Sequence, residues 1–235
     1  MRIKRSKLRI VMIIEQIRKR AIYHSAMFSV SLTLLLLLAG CVMLKPESPQ
    51  PAEPADKSPS GIEDVGRGFV INETANMDES ARNDFEEAVL LLNGESYDRA
   101  IEILEKLVQS SPDVTAPYID LGIAYQHTGD NEKAANQYKN ALTIFPGHPV
   151  ACNQYGLLLR KEGKFDEARN IFEQALAGYP GYYPVHRNLG ILYDLYLNDP
   201  EKALEHYEIY YGYVPEDEKV KIWIADLRIR LGLDQ

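Results

Sequence analysis

Little in this 235-residue chain lends itself to chemistry. There are only two cysteines, Cys41 and Cys152, and neither lies in a redox or metal-binding spacing. The five histidines, His24, His127, His148, His186 and His206, are scattered, and none has a second ligand four residues on. No zinc site is therefore encoded locally, and each histidine reads as a surface or packed side chain. Glu205 and His206 are adjacent on one helix and point in different directions. No serine stands in a nucleophile-elbow pattern and no glycine-rich loop could cradle a phosphate. An enzyme is not expected, and no cofactor or metal is implied. Basic charge is scarce beyond the N-terminus: residues 1–41 hold eight Lys and Arg and one acid, Glu15, which leaves 18 bases and 33 acids in the rest. A body near −15 makes a poor nucleic-acid groove, which needs a basic footprint, and its acidity serves solubility. An apolar run long enough for a comfortable transmembrane helix is also missing. Ala26–Gly40 has fifteen residues, against the about 20 a span requires.

What is present begins with a leader. Residues 1–25 are basic, and Ala26–Gly40 matches the apolar region of a secretory signal, typically about 7–15 residues. The basic region is long, which leaves Met1 and Met12 as alternative starts. Leu38, Ala39, Gly40 and Cys41 together resemble the lipobox of bacterial lipoproteins. The resemblance implies cleavage before Cys41, a diacylglyceryl group on its sulfur and an acyl chain such as palmitate on its amine. Small residues at Ala39 and Gly40 suit a peptidase site, and several acyl chains anchor far more firmly than one, at about 0.8 kcal/mol per buried CH₂. In that family Asp after the cysteine directs retention at the inner membrane. Val42 stands there, which implies the periplasmic face of the outer membrane. The alternatives are a chance cysteine after a leader, or an uncleaved anchor. Lipidation would consume the Cys41 thiol and leave Cys152 unpaired, as a small buried apolar group.

Domains are expected at 1–40 (signal peptide), 41–76 (lipidated cysteine and Pro-rich disordered linker), 77–216 (repeats) and 217–232 (C-terminal capping helix). Lys45–Gly61 holds five prolines and no large apolar residue, so it cannot offset its ordering entropy. In polyproline geometry it would reach roughly 50 Å. Ile62–Glu73 contains one apolar cluster, Phe69-Val70-Ile71, whose docking the sequence leaves open. Asn76 and Glu79 have the spacing of a helix-capping pair.

From there a 34-residue pattern recurs, with copies at about 81–114, 115–148, 149–182 and 183–217. The second copy places large residues at Tyr118, Leu121, Tyr125 and Tyr138, and small ones at Gly122, Ala134 and Ala141. The third repeats this with Cys152, Tyr155, Gly156, Leu159, Ala168, Phe172 and Ala175. Gly129 and Gly163 mark the turns within these copies. Pro146 and Pro180 end their second helices, because proline cannot supply the internal N–H. The first copy departs at Asp84 and Glu87, as a terminal repeat does. The fourth gains a residue near Leu197–Pro200 and has Tyr210 where Ala141 and Ala175 stand, which should displace or tilt the following helix. Glu218–Leu231 is amphipathic, with Val220, Ile224, Leu227 and Leu231 at helical spacing and Trp223 adjacent.

These positions resemble the tetratricopeptide repeat (TPR) family, over about 140 of the 235 residues. The resemblance implies an all-α fold: a right-handed α-solenoid of about four helix hairpins plus a C-terminal capping helix, its concave face lined by first helices. Carried over position by position, it implies a protein-binding groove of Phe85, Val89 and Leu92; Ile119, Ile123 and Gln126; Asn153, Leu157 and Arg160; and Arg187, Ile191 and Asp194. Spacings of four and three keep each trio on one helix face. The groove is apolar over two copies and more polar over the next two. That division suggests a peptide with an apolar stretch and a carboxylate held by Arg160 and Arg187. At any one position the alternative is core packing, as for Phe85 or Ile119, or an ordinary surface charge. The clamp of chaperone-binding members is not reproduced, because its Lys and Asn positions are apolar here. The combined expectation is a lipid-anchored periplasmic adaptor, attached to a membrane only through its N-terminal lipid. Its partner would be a protein of an envelope complex, in pilus or secretion assembly, cell-wall enzyme recruitment or an energy-coupled system. The alternative is a self-associating structural subunit that uses Tyr210, Tyr211, Tyr213 and Trp223.

Overall fold

The computed structural model describes residues 62–64, 69–71 and 76–233, all of which belong to one unit, Asp56–Gln235. Leu38, Ala39, Gly40 and Cys41, with the rest of the leader and Lys45–Gly61, lie outside the described residues. Within the stretch expected as linker, Ile62–Asp64 (β1) and Phe69–Ile71 (β2) pair antiparallel, with Ile62 opposite Ile71 and Asp64 opposite Phe69. The sequence reading contained no such pairing.

Nine α-helices follow among the described residues: α1 (Glu79–Asn93), α2 (Tyr97–Ser110), α3 (Thr115–Thr128), α4 (Asn131–Ile144), α5 (Pro149–Lys161), α6 (Phe165–Gly178), α7 (Tyr183–Leu192), α8 (Pro200–Tyr213) and α9 (Glu218–Arg230). The cap of α1 is Asp78, whose carboxylate accepts from the Ala81 N–H at 2.8 Å, and not the Asn76–Glu79 pair. Such a cap contributes about 1 kcal/mol. At Gly129 and Gly163 the chain turns with φ of +90° and +77°, a conformation that costs glycine little.

Three of the four hairpins close on an aromatic ring, and the first has Ala88 and Leu104 in those places. A Cβ placed on Gly122 would lie 2.5 Å from the Tyr138 ring, on Gly156 2.4 Å from Phe172, and on Gly190 2.4 Å from Tyr207. The absent side chain is what lets the two helices approach, and Tyr138, Phe172 and Tyr207 are among the largest fully buried side chains. Cys152 is fully buried and free, its thiol pushed up to about 12 by burial.

The extra residue of the fourth copy is absorbed inside the helix. Tyr193–Leu197 forms a π-turn continuing α7, and Asn198 closes it in the left-handed region at φ 53°. The repeat register is thereby kept, one residue later. Hydrogen bonds twenty residues long recur on that register: Tyr125 Oη donates to Glu105, Tyr193 Oη to Glu173 at 3.0 Å, and Arg228 Nη2 to Glu208 at 2.6 Å. Arg228 on α9 thus occupies the place of Tyr125 on α3 and Tyr193 on α7. α9 is not only a cap; it stands in the register of a fifth first helix. Val220 and Leu227 fill its buried positions.

Candidate protein-binding groove

The first helices of neighbouring hairpins, α1–α3, α3–α5 and α5–α7, approach one another more closely than the second helices do. A stack that is tighter on one side curves toward that side, so the first helices line the inner face. α9 stands farther from α7 than each earlier first helix from its predecessor. Tyr210 is buried beneath it and donates from Oη to Asp217, the α9 N-cap, at 3.0 Å.

Of the expected groove residues, Phe85, Val89, Leu92, Ile123, Leu157 and Ile191 are half-buried, with one side still open. Ile119 is not available: it is 4 % exposed and packs with Ala141 and Ala151, whose small side chains leave a recess that draws it into the core. Asn153 is also corrected. It is buried, and its Oδ1 accepts from Asn188 Nδ2 at 2.8 Å, a tie between α5 and α7 in place of a contact for a ligand. Gln126 accepts from Tyr138 Oη. Asp194 is held by Arg230 at 2.9 Å.

The two arginines behave differently. The Arg187 guanidinium lies 5.5 Å from the Trp223 ring and 6.0 Å from Tyr210, a cation–π seat, with Nε 3.7 Å from Asp217 Oδ2. That distance is too long for a hydrogen bond, and the buried Nε has no partner. Arg160 has a buried Nη1 without a partner as well. Burial above all, with the charge of Arg187 adding to it, lowers the Arg160 pKa from its ordinary value. The Tyr207 ring lies in the field of both guanidiniums. Buried N–H groups left without acceptors are uncommon; the guanidiniums that carry these two stand on neighbouring first helices, and with the Arg187 side chain 35 % exposed, an anion would be met by their outer N–H groups.

Further along the same register, α9 places Ile222, Asp226 and Ile229 where α7 has Arg187, Ile191 and Asp194. Ile222 and Ile229 are 64 % and 68 % exposed, and Leu233 is exposed beyond them. The sequence reading missed this stripe, because the one-residue insertion hides α9's place in the repeat. Of the residues expected in self-association, Tyr210 is buried, Tyr211 and Trp223 are half-buried and Tyr213 is exposed. Trp223 is engaged with Tyr207 and Arg187.

The four described histidines serve packing. His148 caps α5, accepting from the Ala151 N–H at 3.2 Å, and His127 stacks on Tyr97. His186 Nε2 donates to the Pro180 carbonyl at 2.8 Å, so its Nδ1 accepts from His206 Nδ1 at 2.9 Å. Among the described residues no group of three His, Cys, Asp or Glu side chains could hold a metal, and no helix is long and apolar enough to cross a membrane.

Comparison with known proteins agrees with this geometry. Residues 117–181 match the family described as YpiA-like, C-terminal tetratricopeptide repeats, and residues 154–215 match a tetratricopeptide repeat model. The photosystem I assembly protein Ycf3 of Prochlorococcus marinus is 31 % identical over 108 residues, covering 39 % of this chain and 62 % of that protein. The chain therefore spans less than two thirds of that relative. Among solved structures, Pseudomonas aeruginosa pilF superposes with a TM-score of 0.60 at 22 % identity, covering 65 % of this chain and 69 % of the other. MamA from Desulfovibrio magneticus RS-1 gives 0.57 at 22 %, covering 66 % and 88 %. At these identities the superpositions speak to the fold, an α-solenoid. The chain carries tetratricopeptide repeats, a scaffold for protein–protein interaction.

Proposed function

We propose that this chain is a non-catalytic adaptor that grips a protein partner along its first-helix face and is tethered through a lipid on Cys41 to the periplasmic face of the outer membrane. The observation carrying the partner role is the open inner layer: half-buried apolar side chains on α1, α3 and α5 beside two arginines with unpartnered N–H groups. The similarity to a protein named for photosystem I assembly is in keeping with an assembly role. The tether reading rests on the residues Leu38–Cys41 and the apolar run before them. An envelope machine is the class of partner that such an anchor would reach. A second reading, self-association, is favoured by the exposed Ile222, Ile229 and Leu233.

Photo-crosslinking in cells from positions 123 and 157 should capture one discrete partner. Position 136, exposed on the second helix α4, should capture none. Combining Ile123→Ser, Leu157→Ser and Arg160→Gln should abolish capture while leaving sedimentation unchanged. If instead that variant lost only self-association, the subunit reading would replace the adaptor. Separately, Cys41→Ala should release the protein from membranes or leave it unprocessed. Mass analysis that finds an unmodified Cys41 in the membrane fraction would overturn the tether.

A further inference from the structure

The inner face has an order that the adaptor reading alone does not use. Along the first helices it runs from apolar (Phe85, Val89, Leu92, Ile123) through cationic (Arg160, Arg187) to apolar again (Ile222, Ile229). Arg187 is fixed by the rings of Trp223 and Tyr210, and Arg160 on α5 feels its charge and keeps a buried N–H without an acceptor. Neighbouring carboxylates answer these charges only in part, since Asp217 Oδ2 stands 3.7 Å from Arg187 Nε, beyond hydrogen-bond reach. Asp194 is held by Arg230, and Asp217 accepts from Tyr210 while capping α9.

From this order we infer that the partner segment carries an internal Asp or Glu flanked on both sides by apolar residues, its carboxylate received by Arg160 and Arg187. The inference rests on the first-helix face being the binding face, and it deepens that reading by naming the ligand class. A free C-terminal carboxylate would fit two arginines at the end of a groove, but apolar surface continues past them onto α9. Arginine suits the task because its planar fork offers paired N–H donors to one carboxylate. An anion there would also relieve the repulsion of two like charges in a partly desolvated place.

The test uses the full chain in mild detergent and three sets of acetylated 11-residue fluorescent peptides built from Leu, Ile, Phe and Ser. One set has a central Glu and an amidated end, the second has Gln in its place, and the third is cut after the Glu to leave a free carboxylate. Anisotropy should show the first set binding at least tenfold tighter than the other two. Arg160→Gln should erase the Glu-over-Gln preference, and Arg160→Lys should keep part of it. Ile222→Ser with Ile229→Ser should erase the preference over the truncated set. Tighter binding by the truncated set would overturn the internal-acid inference while leaving the groove as the binding face. Equal binding of Glu and Gln peptides would overturn the role of the arginines. If the Ile222 and Ile229 changes altered only sedimentation, the α9 stripe would belong to a second copy of the chain, and the inference would fail there. Failure of groove crosslinking in cells would instead count against the adaptor reading itself.

Discussion

Replacing Gly156 by alanine tests the packing of the hairpins with one methyl group. In an exposed helix the change is favourable by up to about 1 kcal/mol, because glycine loses more backbone freedom on folding. Here the new Cβ would lie 2.4, 2.7 and 2.7 Å from three atoms of the Phe172 ring, which is fully buried and cannot withdraw. Overpacking of this kind costs about 1–3 kcal/mol. With no room for the ring, the upper part of that range applies, and the net loss is about 2 kcal/mol. Gly178 and Gly212 are helical and exposed, and a Cβ on either meets nothing within 4 Å. The same substitution there should stabilise by about 0.5–1 kcal/mol. Urea denaturation followed by circular dichroism reads the difference. With a slope of about 2 kcal/mol per molar, Gly156→Ala should lower the midpoint by about 1 M while Gly212→Ala raises it slightly. In a Phe172→Leu background the cost of Gly156→Ala should shrink, since the two sites share one contact. A Gly156→Ala midpoint equal to or above wild type would refute the claim that the ring lies against the glycine.

Two further predictions concern pH. Burial raises the Asp120 carboxyl to about 6 from 3.8, so the folded state takes the proton first and gains stability as pH falls between those values. Asp120→Asn should therefore stabilise by about 1–3 kcal/mol at pH 7 and by almost nothing below pH 4; a difference that stays constant with pH would refute this. His206 moves the other way: burial, then the charge of its partner His186, lowers it to about 4 from 6.5. The unfolded chain takes that proton first, so stability is lost as pH falls from about 6.5 to about 4. In an Asp120→Asn background, which removes the opposing effect, His206→Asn should flatten the decline of the urea midpoint over that window. An unchanged slope would show that the histidine pair does not report on folding.

The second and third copies were legible because glycine, ring and alanine recur there without interruption, and every such residue has a packing partner in the structure. Ile119 was not, since position in the repeat alone cannot show that Ala141 and Ala151 leave space for it. The arginines were found as candidates, but the difference between them depends on Trp223, which reaches Arg187 from a helix 35 residues on. Sequence spacing pointed to Val220, Ile224, Leu227 and Leu231 as the face of α9 and passed over Ile222 and Ile229. Only the recurrence of the Tyr125–Glu105 bond as Arg228–Glu208 places those two isoleucines on the inner register.

That recurring bond is missing at one junction. Leu159 and Lys139 stand where a tyrosine or arginine meets a glutamate elsewhere, and the nearest substitute is the Lys139 ammonium 5.9 Å from the Tyr155 ring. That seam, which divides the apolar half of the inner face from the cationic half, is closed instead by aliphatic packing, with Ile119 lodged against Ala141 and Ala151. Packing of this kind has no direction, so the two halves of the recognition surface are held together by shape where the other three seams add a bond of fixed geometry.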